Sequence, residues 1–388
     1  MVNNWIVIRR KYFMQLKTNI IGLFLISVFI GCGIFDTTET NNNVTKLYVT
    51  LQQQDKVAIY DTPDLELLKT IDINFTGSNI KDTPHFIVID EENGYWFVTT
   101  VESDYVAQYS LKTDELLDTV YVGDYPALMA VNPDNKRLYV SRMMMKAQTY
   151  QINEIDYGGT ELVNLVPPFD LASPIPHGIA IDQAKEHIYT ISNTADWIYR
   201  ITLNSGDISD VTMDASNSIT PTNEVKLLQP IQCILLNDSL LAISCSAPKD
   251  EVNGQVQIWN GNNLTIKSKY EFGSDSKPWH LIKSPLREEI FIVLGGSDGA
   301  GGVACLTYTA NEINLKWQYL NGDFTGLHGI TIDAAGEYLY VSGRDTHYLY
   351  QFDAEHGSLL ASIPLDAENQ IVSPGGISMM QNLCTDCE

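Results

Sequence analysis

Hydrophobic and polar positions alternate at period two through short runs of this chain, and turn-forming residues separate the runs. Between Leu327 and Pro364 four such runs follow one another: Gly329 to Asp333, Tyr338 to Ser342, Tyr348 to Asp353 and Leu359 to Ile363. Asp333 to Gly336, Gly343 to Asp345 and Asp353 to Gly357 carry the turn chemistry between them. Successive side chains of a strand point to opposite faces, so this pattern predicts four strands joined by tight turns. Four antiparallel strands in about forty residues make one β-propeller blade, provided that the unit recurs.

It does recur. Full units begin at Pro84, Pro126, Pro176, Pro230 and Pro278, and the unit at Leu327 is the sixth. The run Pro126 to Ser141, PALMAVNPDNKRLYVS, is the clearest copy, whereas the unit from Pro230 is more divergent. Lys46 to Ile73 supplies three strands without the first one, and Pro374 to Met379 supplies a first strand alone. The two fragments sum to a seventh blade. Sharing it between the chain ends closes the ring and removes an exposed edge. The fold class expected is therefore all-β, a seven-bladed β-propeller spanning residues 46–380.

Composition sharpens this picture. The 20 Tyr and 10% aromatic content suit a sheet-rich fold with an ample core. A formal charge of −24, spread along the chain, repels phosphate and argues against nucleic-acid or anionic-membrane binding. At the N-terminus, Arg9, Arg10, Lys11 and Lys17 precede an apolar run, Ile20 to Ile30, too short to span a bilayer. The run ends at Gly31 and Cys32, and resembles a bacterial lipoprotein signal with Cys32 as the lipidation site; Met14 is an alternative start. Residues 1–31 then form the signal, 32–45 an Asn/Thr-rich tether and 381–388 a tail. The expected location is the cell envelope, with the membrane touched only through the lipid and the protein a monomer.

The triplets Tyr48-Val49-Thr50, Tyr139-Val140-Ser141 and Tyr340-Val341-Ser342, each in a unit with an Asn/Asp-rich turn, resemble the YVTN repeat of YncE-like seven-bladed propellers. The motif's final Asn occurs only at Asn193. The resemblance covers about residues 46 to 380 and implies a fold, because that family is a scaffold with varied roles.

In a propeller, the start of each innermost strand and the loop between second and third strands meet on one face around the channel. His85, His177 and His328 hold equivalent places directly before the innermost strand, and His280 is one residue out of phase. Neutral imidazoles converging from separate blades can hold Zn or Cu, although Ala127, Ile231 and Gly375 break the symmetry of the ring. Arg142, Met143, Asp196, Trp279, Arg344 and Asp345 are the candidate ligand- or partner-binding residues, on a face expected to be polar and acidic. Carboxylates around a channel can also bind Ca²⁺ or act as bases, as in the lactonase-type propellers that this fold resembles.

No nucleophile elbow or HExxH helix is present, so no catalytic residue is assigned. The Gly-rich loop Gly295 to Gly302 leads into a strand, not a helix, and reads as a connection. Of the six Cys, Cys384 and Cys387 suit a small local disulfide, Cys233 and Cys245 face each other across a hairpin and can be bridged, and Cys305 is expected buried. The leading expectation is a module that binds a small molecule or a protein through its channel face. Its rival is a metal-binding or lactonase/lyase-like propeller enzyme.

Overall fold

The computed structural model describes residues 45–77, 81–143, 150–213, 227–247, 252–296, 298–365 and 370–382. Cys32, the signal and most of the tether, Met144, Met145, Cys384 and Cys387 lie outside the described residues. The chain divides at Asn42/Asn43, and the fold described is that of the second unit.

Seven four-stranded antiparallel sheets make up the fold. In the first blade the order runs from Pro374–Met379 through Thr45–Leu51 and Lys56–Thr62 to Leu67–Asp72. The C-terminal strand is thus the innermost strand of the N-terminal blade, with Leu47 opposite Met379 and Tyr48 opposite Ser378. The other innermost strands are Pro84–Asp90, Pro126–Asn132, Pro176–Asp182, Pro230–Asn237, Pro278–Lys283 and Leu327–Ile332. Each touches the next, and Leu327–Ile332 touches Pro374–Met379, so the ring is closed. Ile208–Thr212 completes the fourth blade, a strand that the hydrophobic pattern did not single out.

The burial pattern explains the composition of each strand. Second strands such as Leu240–Cys245 are buried on both faces because neighbouring blades cover both sides of the sheet. Outermost strands such as Leu359–Pro364 alternate between half-buried and exposed, since solvent takes one face. Each of the seven apolar clusters among the described residues joins two adjacent blades. One of them packs Leu47, Val49, Ile377 and Met379 of the first blade on Tyr340 and Leu349 of the last, and so helps to hold the ring shut.

A buried polar knot crosses between the first two blades. Asp114 accepts hydrogen bonds from Tyr48 Oη (2.8 Å) and Trp96 Nε1 (3.2 Å) and pairs with Lys46 (2.8 Å) and Lys69 (2.6 Å). Its side chain is fully buried, so the partners repay the desolvation of the carboxylate.

The cysteine expectations divide. Cys305 is buried, as its apolar surroundings require. Cys233 and Cys245 are both free thiols. Cys233 lies opposite Ile243 and Cys245 opposite Pro230, because bulges near both ends of the hairpin set a register in which the two never face. Burial pushes both thiols up from their ordinary range.

Candidate functional site

One local device, repeated seven times, builds the channel face. The residue before each innermost strand, Thr83, Tyr125, Ile175, Gln229, Lys277, Gly326 or Ser373, lies in the left-handed region with φ between 44° and 59°. Six of the seven are not glycine, so the turn is held by its surroundings and not by intrinsic preference. A register irregularity follows at once in every blade: Pro84 faces Thr100, for example, but Ile87 faces Val98. Two residues therefore oppose one, and the bulge re-aims its side chains toward the channel.

Hydroxyls of the second strands fill these bulges. Thr99, Ser141 and Ser342 accept the N–H of Phe86 (3.1 Å), Leu128 (3.2 Å) and Gly329 (2.9 Å) in their own blades. The same hydroxyls donate to the carbonyls of Ala127 (2.9 Å), His177 (2.5 Å) and Gly375 (2.6 Å) in the next blade. The Ser that ends the Tyr-Val-Ser triplets is thus a clip between blades. In the fourth blade Gly178 allows a close approach, since a Cβ there would lie 2.8 Å from Cys233 N.

The residues placed by this device surround a cavity of about 660 Å³ at the channel mouth. His85, His177, Trp279, His328, Arg344 and Met143, all singled out in the sequence, line it together with Gln52, Gln53, Lys81, Thr83, Val101 and Glu102. Below lies the channel, about 380 Å³, walled mainly by aliphatic side chains such as Ile87, Met129, Ile179, Leu281 and Ile330. His280 belongs to that lower space. Its one-residue offset explains why: Trp279 occupies the place that is His85 in the second blade, and His280 the place of Phe86.

A layer of rings separates the two spaces. His280 and His328 stand 4.7 Å apart between ring centroids, His85 and His328 5.6 Å, Trp279 and His328 5.6 Å, and Phe86 and His280 5.9 Å. All four histidines are buried, His85 and His177 at 5% exposure and His280 and His328 at 3%. Burial lowers the basicity of each. His85 falls to about 3, from burial first and then from the charges of His177 and Arg344. His177 is lowered by burial, and His280 and His328 fall well below the ordinary value, from burial and then from neighbouring imidazoles. The layer is accordingly neutral at pH 7.

Neutral imidazole has one donor and one acceptor nitrogen, and the partners identify them. His177 Nδ1 donates to the Ile231 carbonyl at 2.6 Å, which leaves Nε2 as the acceptor. His85 Nδ1 accepts from Gln52 Nε2 at 2.6 Å, which places the proton on its Nε2. His85 Nε2, His280 Nε2, His328 Nδ1 and Trp279 Nε1 are buried without a hydrogen-bond partner. Such groups cost free energy unless something else satisfies them. Among the described residues, no three His, Cys, Asp or Glu side chains form a group that could hold a metal ion.

Three candidates stand elsewhere. Asp196, fully buried, accepts the backbone N–H groups of Leu227 (3.0 Å), Leu228 (2.9 Å) and Gln229 (2.9 Å). Asp55 does the same for Thr83 N (2.7 Å), and Asp104 for Tyr125 N (2.9 Å). Each stands directly before the third strand of its blade and latches the segment that enters the next. Arg142 is buried against the Val122 carbonyl, Gln151 and Asp124. Asp345 lines a different cleft, with Asp323, Tyr348 and Tyr350. Among the described residues, the cavity's charged lining is Lys81 and Arg344 against Glu102.

Gln52, Gln53, Lys81 and Thr83 were missed in the sequence. Lys81 and Thr83 lie in the segment entering the second blade, and Gln52 and Gln53 in the short 3-10 turn Gln52–Gln54 of the first. Their signal was position: the residues just before Pro84 and the first blade's own second-to-third-strand loop belong to the same face.

No protein-family model matches the chain, and no curated protein sequence matches it. Solved structures do resemble it. A functionally unknown protein from Desulfotomaculum acetoxidans DSM 771 superposes with a TM-score of 0.66 at 12% identity, over 87% of this chain and 99% of that one. A putative 6-phosphogluconolactonase from Bacteroides fragilis NCTC 9343 gives 0.63 at 14%, over 88% and 99%. A streptogramin B lyase gives 0.57 at 14%, over 76% and 86%. At these identities the likeness is one of fold, and it agrees with the seven-bladed β-propeller built from the strands above.

Proposed function

We propose that this propeller is a small-molecule-binding module whose site is the mouth cavity. The observation that carries the reading is a 660 Å³ space lined by convergent rings from separate blades, the buried His85, His177 and His328 and the half-buried Trp279. Ligand sites combine apolar walls with a few convergent polar groups, and this cavity has Met143, Val101 and aromatic faces beside Arg344, Lys81 and Glu102. We further infer a YVTN-repeat type of scaffold, exported and held at the cell envelope by lipid on Cys32. Ligand-observed NMR of a fragment library tests the cavity: hits should vanish in Trp279→Ala and persist in Leu116→Ala, on the outer edge. Hits that survive Trp279→Ala, or no hits, overturn it. The mass of the mature N-terminus tests the anchor, and an unmodified chain beginning elsewhere than Cys32 refutes it.

The unpartnered nitrogens of His85, His280 and His328 favour a second reading, a Zn or Cu ion held by imidazoles. It requires the rings to turn toward a common point, since bonds of about 2 Å are needed. Elemental analysis of the purified protein with His328→Ala as comparison decides it, and absence of metal from both samples excludes it.

A further inference from the structure

The charge of the mouth runs against that of the chain. Asp and Glu outnumber Lys and Arg by 48 to 24, so a basic side chain ordinarily finds a carboxylate. Arg344 has found none. Arg344 is exposed at the cavity rim and its guanidinium makes no hydrogen bond or ion pair among the described residues, although its backbone N–H is held by the Gly326 carbonyl at 3.0 Å. Its charge nevertheless reaches inward: after burial and neighbouring imidazoles, it is a further cause of the lowered basicity of His85 and His328. Lys81, on the same lining, holds only the neutral Gln53, through its carbonyl (2.9 Å) and Oε1 (3.1 Å). Glu102, the one acid of the lining among the described residues, accepts from Tyr125 Oη at 3.2 Å.

The floor carries buried ring nitrogens without partners. The tautomer fixed by Gln52 puts the His85 proton on Nε2, and that atom is buried without an acceptor. Trp279 Nε1, which can only donate, is likewise without one. His177 Nε2 is the counterpart acceptor. Two cations on one lining call for a negatively charged guest. Trp279, half-buried on the same lining, offers an aromatic wall and calls for a planar one.

We propose that the mouth cavity binds a planar ring carrying a carboxylate or phosphate, with Arg344 and Lys81 as its counter-charges and Trp279 as its aromatic wall. This rests on the mouth cavity being a small-molecule site and specifies what that site selects. The acidic surface repels anions at long range, so selectivity comes from short-range contacts and association is slow compared with a steered encounter. Guanidinium and ammonium contacts to an oxyanion are the stronger kind of hydrogen bond, and two of them suffice to prefer an anion over its neutral isostere.

Isothermal titration of the full chain with benzoate, phenyl phosphate, benzamide, benzylamine and inorganic phosphate tests the proposal. Benzoate or phenyl phosphate should bind at least about tenfold more tightly than benzamide. Arg344→Gln, exposed and unbonded and hence expected to fold, should lose about tenfold for the anions and nothing for benzamide, with Lys81→Gln as an independent second variant. Rising salt should weaken only the anions. Equal binding of benzamide or benzylamine, or an Arg344→Gln protein with undiminished anion affinity, overturns the anion assignment and leaves the cavity reading standing. Inorganic phosphate binding as tightly as phenyl phosphate overturns the planar ring. No heat from any probe, the neutral one included, takes down the cavity reading and this proposal with it.

Discussion

The imidazoles of His280 and His328 pack at 68° with ring centroids 4.7 Å apart, joining an aliphatic channel to a polar mouth. Burial, and then the neighbouring imidazoles, oppose a second proton on either ring. This relationship makes the fold sensitive to acid in a defined sense. The folded-state basicity of His280 and His328 lies below the unfolded value of 6.5, so the unfolded chain takes up protons first as pH falls. Their contribution to stability is complete above pH 6.5 and is lost as pH falls through and below that value. Each such histidine adds about 1.4 kcal/mol per pH unit in that window. Urea unfolding at pH 7.5 and 5.5 should show a steeper loss for the wild type than for His328→Gln, which has no proton to gain. Equal losses would falsify the buried-imidazole account.

Asp114 ties Tyr48 and Lys46 of the first blade to Trp96 of the second, and Asp114→Ala leaves Lys46 partly buried without its counter-charge. Stability should drop by about 3 kcal/mol, within the range for breaking one side of a buried pair. Binding at the mouth should be unaltered in the fraction that folds. A chemical denaturation midpoint within error of the wild type would show that the knot is ornamental.

Removing residues 374–382 deletes the innermost strand of the first blade and leaves Thr45–Leu51 with an unpaired edge next to an open seam. Exposed strand edges template association. Size-exclusion chromatography should find larger oligomers or aggregate than the full chain gives. Gly376→Ala offers a milder version, because a Cβ there would lie 2.5 Å from the His85 carbonyl oxygen. A truncated chain that stays monomeric and as stable as the parent would rule out closure by this strand.

Asp196 is expected to behave as a latch. Asp196→Ala strands three backbone N–H groups in a partly buried segment, at a cost of about 2 kcal/mol. Titrations with benzoate or phenyl phosphate should return unchanged affinity at temperatures where the variant is folded. A lost affinity with intact stability would instead make Asp196 part of the binding site.

Much of this could be read from the chain. Strand periodicity and turn residues encode a blade locally, so the count of blades and the division of the first between the two termini followed from pattern. The equivalence of His85, His177 and His328, and the phase slip of His280, were equally visible, because position within a repeat translates into position around the ring. The direction of Asp196 and Arg142 was not. Both sit in loops that face the mouth in sequence terms, yet one caps backbone N–H groups and the other is buried beside Asp124 and Gln151. A polar side chain satisfies whichever partner folding brings within reach, and those partners lie 31 to 33 residues away for Asp196.

The sequence by itself determined the seven blades, their closure and the residues at the start of each innermost strand, since these depend on alternation and repetition within a few residues. Only the tertiary structure decided that Cys233 and Cys245 stay apart, that His280 belongs to the channel while Trp279 belongs to the mouth, and that Lys81 and Arg344 come together on one lining. The physical reason is that register shifts at bulges and the convergence of seven separate strand ends set distances across the ring. Neither is written in any local run of residues.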